Sequence, residues 1–263
     1  MPRIPCWQVD AFTDRPFAGN PAAVVWLETD ADPVWMQYVA AEMNLAETAF
    51  VRTLPDGYSL RWFTPKVEVD LCGHATLASA HALWTSGTVT EEPLRFHTRS
   101  GVLTCSRNGD RIELDFPATP PTEVPVDSAV MSALGASSAG FFGRSRFDVL
   151  VQLSSAAELR SLQPDLRKLA ATDARGVIVT TVSDDPKFDF ISRFFAPRCG
   201  VDEDPVTGSA HCALTPYWAA KLGKTTLTAF QASERGGVLH LRLNGDRVIL
   251  GGHAVTVWEG HLV

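Results

Sequence analysis

The chain has 263 residues, 45% of them hydrophobic, 20% charged and 9% aromatic, with a net charge of −7. That balance excludes a disordered tail protein, a collagen-like repeat and a coiled coil, and the acidic sum argues against a broad nucleic-acid-binding face. The length suits one large domain or two lobes, and no apolar run approaches the roughly 18 residues of a membrane helix. The first residues pass straight into strand-like sequence with no signal-peptide core. Five cysteines (Cys6, Cys72, Cys105, Cys199, Cys212) form no disulfide framework. They read as reduced thiols of a cytoplasmic protein.

In chain order, short apolar runs bounded by turn residues predict strands over 5–12, 22–27, 48–53, 59–63 and 102–106, with Asn108-Gly109 as a hairpin signal. Asp32-Pro33 opens a helix that runs through Glu42 and stops near Asn44. Two further helices are expected over 74–86 and 209–222, each running from a glycine to a glycine. Both are rich in alanine and lack a polar stripe, so both should be buried on all sides. Pro216 should kink the second of them.

These two helices belong to an internal repeat. GVLTCSRNGDRIEL at 101–114 matches GVLHLRLNGDRVIL at 237–250 in eight of fourteen positions, at an offset of 136. Upstream, Arg61-Trp-Phe-Thr-Pro leads to Cys72-Gly-His-Ala, and Arg193-Phe-Phe-Ala-Pro leads to Thr207-Gly-Ser-Ala, at offsets of 132 and 135, so the second copy carries three extra residues. Between the copies, residues 116–125 hold four prolines and read as an extended linker. The expectation is an α+β protein of two pseudo-twofold lobes, 1–117 and 126–253, joined by a linker at 118–125. Each lobe would be a curled, mostly antiparallel sheet around one central helix.

Equivalent helix starts, Leu71-Cys-Gly-His74 and Val206-Thr-Gly-Ser209, would then face one cleft. Their unpaired backbone N–H groups, with Gly73 and Gly208 allowing close approach and Ser209 adding a hydroxyl, suit a small carboxylate. Glu47 lies among small and apolar neighbours at a strand start, where desolvation would raise its pKa towards proton shuttling; a structural ion pair is the alternative. His74, in a first helical turn, should be neutral and able to bond a substrate, or else be a satisfied core histidine. Asp204, taken as part of the three-residue excess, fits an N-cap before Pro205. Asn20, in Gly19-Asn-Pro, fits an ordinary turn.

Asp10-Ala-Phe-Thr, Phe17-Ala-Gly-Asn-Pro-Ala-Ala-Val, Glu42-Met-Asn-Leu-Ala-Glu-Thr-Ala-Phe50, Leu71-Cys-Gly-His-Ala-Thr and Glu203-Asp-Pro-Val-Thr-Gly-Ser-Ala-His211 resemble the phenazine-biosynthesis PhzF-like family, in consistent order from about residue 9 onward. The resemblance implies the diaminopimelate-epimerase-like fold, with residues 254–263 returning to the first lobe, and a homodimer. It implies Glu47 as the general acid/base, His74 and Asp204 as substrate contacts, and allylic rearrangement of a dihydro-hydroxyanthranilate type compound. Racemases of this superfamily use two thiols; here Cys72 matches the first but Thr207 stands at the second, and a threonine hydroxyl is too weak a base. No nucleotide loop, Gly-x-Ser-x-Gly elbow or His-Glu-x-x-His motif occurs, so nothing calls for a cofactor or a metal. The expected function is a cofactor-independent isomerase acting on a small carboxylate without nucleic-acid or membrane partners. The alternatives are a non-catalytic binding protein on the same fold and a one-base epimerase.

Overall fold

A computed structural model describes residues 3–263; Met1 and Pro2, the first residues of the expected N-terminal lobe, lie outside the described residues. The chain divides into two compact units: residues up to Phe116 together with Ile249–Val263, and Pro117–Val248. The first unit contains, in order, β1 (Ile4–Ala11), β2 (Asn20–Leu27), α1 (Pro33–Met43), β3 (Glu47–Leu54), β4 (Gly57–Phe63), β5 (Glu68–Val69), α2 (Gly73–Thr85), β6 (Leu94–Thr98), β7 (Gly101–Asn108) and β8 (Arg111–Pro117). The second begins with β9 (Thr122–Glu123), α3 (Ser128–Leu134), β10 (Phe141–Arg144), β11 (Val149–Gln152), α4 (Ala156–Ser161) and α5 (Leu166–Ala170). It continues through β12 (Val177–Val182), β13 (Phe190–Phe195), α6 (Gly208–Leu222), β14 (Thr226–Gln231) and β15 (Gly237–Asn244). Strand β16 (Arg247–Gly252) carries the chain past the boundary, and β17 (Ala254–Leu262) completes the first unit by pairing antiparallel with β1.

The duplicated sequence folds into duplicated pairing. In the first unit β1–β2 is antiparallel, β2–β3 parallel, β3–β4 antiparallel, β4–β6 parallel and β6–β7 antiparallel. The second unit repeats this series as β10–β11, β11–β12, β12–β13, β13–β14 and β14–β15, strand for strand. Helix α2 fills the connection from β4 to β6, and α6 the one from β13 to β14. Parallel neighbours need such crossovers, because a tight turn cannot join them.

Local chemistry explains the elements that carry the site. Asp32 accepts from Val34 N–H at 2.8 Å with Pro33 in the first turn, and α1 ends on Asn44 in the left-handed region at φ 50°. Strand β2 reads NPAAVVWL without alternation because both of its faces are covered: Val25 and Leu27 pack with Met36 and Ala40 of α1, while α2 lies on β1, β2, β3 and β17. As its composition suggests, α2 is buried nearly all round. Its hydroxyls survive there by bonding the preceding turn, Thr76 to Cys72 O at 2.5 Å and Ser79 to Ala75 O at 2.7 Å.

Helix α6 runs uninterrupted through Pro216. The carbonyl four residues back, on Cys212, loses its helical donor and instead accepts from Thr119 N–H at 3.0 Å. That donor lies in the proline-rich run, which is therefore more than a connector. Ala118 N–H donates to Asp246 O at 2.8 Å, and Thr122 and Glu123 pair with Arg144 and Gly143 of β10. Among the described residues no helix is long and apolar enough to cross a membrane.

Candidate active site

The first unit brings four of the expected site residues together with Cys72. Asn20 opens β2, Glu47 opens β3 and pairs with Ala22 of β2, Cys72 is the N-cap of α2, and Gly73 and His74 begin its first turn. His74 is the hub. Its Nε2 lies 3.1 Å from Glu47 Oε2, and its Nδ1 lies 3.1 Å from Asn20 Nδ2. Cys72 Sγ sits beside the ring, 3.6 Å from Nδ1 and 4.0 Å from Nε2. Asn20 and His74 are buried, while the Glu47 side chain keeps 16% exposure and so gives the cluster its opening to solvent.

The electrostatics differ from the neutral imidazole expected at a helix start. Burial pushes His74 down, but the Cys72 sulfur and the Glu47 carboxylate push it up, and the balance lies well above the ordinary histidine range. The Cys72 sulfur and then the Glu47 carboxylate, both facing the ring, together outweigh its burial. The Asn20 amide serves either state of the ring, donating to a bare Nδ1 or accepting from a protonated one. Cys72 behaves oppositely. Burial and the neighbouring Glu47 charge hold its thiol up, so at neutral pH it is neither a base nor a nucleophile. Its N-cap position satisfies no helix donor through the side chain, unlike the Asp32 cap of α1.

The second unit gathers Asp204, Thr207, Gly208 and Ser209 at the start of α6. Thr207 Oγ1 donates to Asp204 Oδ2 at 2.6 Å, so Asp204 braces the N-cap residue although Thr207, not Asp204, occupies that position. Sequence reasoning missed Gln231. Its Oε1 accepts from Thr207 N–H at 2.9 Å, and its Nε2 donates to Asp204 O at 2.7 Å. A lone glutamine at a strand end carries no signal in one sequence.

A second omission was legible. Arg61 forks onto Glu68 with both bonds at 2.8 Å, and Arg193 onto Glu203 at 2.7 and 2.9 Å. The partners stand seven residues apart in the first copy and ten in the second. Glu68 and Glu203 are therefore equivalent, and the extra residues precede Glu203, around a 3-10 turn at Pro197–Cys199. Asp204 does not belong to the excess, contrary to the sequence reading; it corresponds to Val69.

His211, one turn into α6, is a core group. Its Nδ1 lies 2.8 Å from Thr207 O, its ring stacks on Phe190, and its Nε2 is buried without a partner. Burial pushes its pKa from 6.5 down to about 4. An unfolded chain takes up this proton near pH 6.5 and the folded one only near 4, so His211 supports the fold above pH 6.5 and opposes it progressively below. The expected loss is about 1.4 kcal/mol per pH unit across that window, about 3 kcal/mol in all. Urea unfolding at pH 7, 5.5 and 4 should show this extra slope in the native protein and not in His211→Leu; equal slopes would place the ring in water.

The model of the family described as phenazine biosynthesis-like protein matches residues 9–260. An uncharacterized isomerase of Halalkalibacterium halodurans is 52% identical over all of both chains, and a phenazine biosynthesis-like domain-containing protein of Homo sapiens is 41% identical over 99% of each. Among solved structures, a PhzF-family phenazine biosynthesis protein of Enterococcus faecalis matches with a TM-score of 0.95 and 42% identity, all of each chain being covered. A hydroxyproline epimerase of Agrobacterium vitis, 12% identical, matches with a TM-score of 0.62 over 99% of this chain and 93% of its own, a likeness of fold alone.

Proposed function

Because the chain belongs to the phenazine biosynthesis-like (PhzC-PhzF) family, we propose that it is an isomerase in which Glu47 alone moves a proton between two carbons of a small carboxylate substrate. The observation that carries this reading is the Glu47–His74 contact at 3.1 Å beside the buried Cys72 thiol. The carboxylate is the base. It takes the proton from one carbon, and the electron pair left behind shifts into an adjacent double bond and the substrate's own carboxylate. The same proton then returns to the far carbon along one face, so the net change is a moved double bond. The raised proton affinity of His74 keeps a positive charge next to that delocalised anion, where it stabilises charge as it develops. Asn20 holds the ring in place, and the Gly73 turn supplies backbone donors. The matching family motif also carries Asp204, Gly208 and Ser209, at the start of α6, over as candidate substrate ligands. No cofactor enters the balance.

The test uses small unsaturated cyclic carboxylates bearing deuterium at the donor carbon, followed by NMR. Product with a shifted double bond and deuterium at the acceptor carbon is expected. Product inverted at the donor carbon, its double bond unmoved, would instead make the protein an epimerase.

A further inference from the structure

The mechanism leaves the Cys72 thiol, buried and packed against the reacting pair, without work. We propose that Glu47, Cys72 and His74 together form a binding site for a single borderline-soft divalent cation, Zn2+ foremost, which blocks the shuttle carboxylate when it binds. Carboxylate, thiol and imidazole are the three donor types that zinc takes from proteins, and this trio places one of each within 4.8 Å of one another. Ordinary zinc bond lengths in a tetrahedron separate a nitrogen from an oxygen ligand by about 3.3 Å and a sulfur from a nitrogen by about 3.6 Å. The corresponding separations are 3.1 Å for Nε2–Oε2 and 4.0 Å for Sγ–Nε2; Sγ also lies 3.6 Å from Nδ1, flanking the ring, so the Cys72 side chain rotates towards the Nε2 end to close the set. Three protein ligands leave a fourth position for water on the side where Glu47 meets solvent.

The outer shell is also in place. A ligating imidazole carries its remaining proton on the other ring nitrogen and needs an acceptor for it. Here that nitrogen is Nδ1, and the Asn20 amide against it can turn its oxygen inward. Binding releases the Sγ–H proton, and the Nε2–H proton, to the buffer, so affinity should weaken as pH falls. Hard cations such as Mg2+ gain nothing from the sulfur and should not compete.

Cobalt(II) titration of the metal-free protein reads the site directly. One cation per chain should bind with an ultraviolet thiolate-to-cobalt charge-transfer band, and Zn2+ should displace it while Mg2+ should not. The band should vanish in Cys72→Ser and persist in Cys199→Ser, which removes the exposed thiol. His74→Gln, which leaves the thiol in place, should weaken binding by at least about tenfold. A band that survives Cys72→Ser, or depends on Cys199, would overturn the site. Only the block of turnover rests on Glu47 being the shuttle. An active Glu47→Gln would overturn the shuttle and spare the cobalt band, and a missing band would overturn the metal site and spare the shuttle.

Discussion

Glu47→Gln should bind substrate and lose turnover by at least the ~10²–10⁴ that a positioned acid/base contributes. The amide matches the carboxylate in shape and can still bond His74, whose Nε2 lies 3.1 Å from the replaced oxygen. What it removes is a group able to accept a carbon-bound proton and give it back. Cys72→Ser should cost far less, because the thiol is already held neutral by burial and by the Glu47 charge, and a serine hydroxyl fits the same N-cap. Turnover of the two variants on one substrate separates the mechanisms. A dead Cys72→Ser beside an active Glu47→Gln would move the chemistry to sulfur. The Thr207 hydroxyl supplies no second base in either case. It donates to Asp204 at 2.6 Å, and a carboxylate is far too weak to strip an alcohol of its proton.

Much of the fold was legible because duplication leaves similar residues at nearly the same offset. The two Asn-Gly-Asp-Arg turns, the two glycine-led helices and the paired arginines each supported one architecture, and both strand series follow it. Legibility failed where stability is collective or a contact is long-range. Helices α3, α4 and α5 span seven, six and five residues, too few to show a period. Their caps were nevertheless present as letters: Asp127, Ser155 and Asp165 each accept from the following turn, and Ser155 stands three residues before Glu158. The rescue of the Cys212 carbonyl by Thr119 had no such letter, because it depends on a connection 93 residues away in sequence folding back onto α6. The charge on His74 was misjudged for a related reason. A helix start is visible in a sequence; the Glu47 carboxylate that joins Cys72 against the ring arrives from a strand.

Gly19→Ala should be among the costliest single-atom changes in the first unit, although it adds only a methyl group. Gly19 sits at φ +64°, and a Cβ there would meet the Ala11 carbonyl oxygen at 2.1 Å and Thr13 Cγ2 at 2.9 Å. The oxygen cannot withdraw cheaply. Ala11 is the last residue of β1, paired with Asn20 of β2 on one side and Ala254 of β17 on the other. Left-handed strain of about 1–2 kcal/mol and overpacking of about 1–3 kcal/mol should together lower stability by about 2–5 kcal/mol. Gly109→Ala is the matched control in the same unit. That hairpin-tip glycine has φ +66° but no atom within 4 Å of the added carbon, so it should suffer the strain alone, about 1–2 kcal/mol. The difference reaches the chemistry, because the residue after Gly19 is Asn20, whose amide holds His74 Nδ1. Urea midpoints at constant m-value compare the two variants. Equal costs would mean that the loop before β2 yields freely, and a loop that yields could not fix Asn20 against the His74 ring.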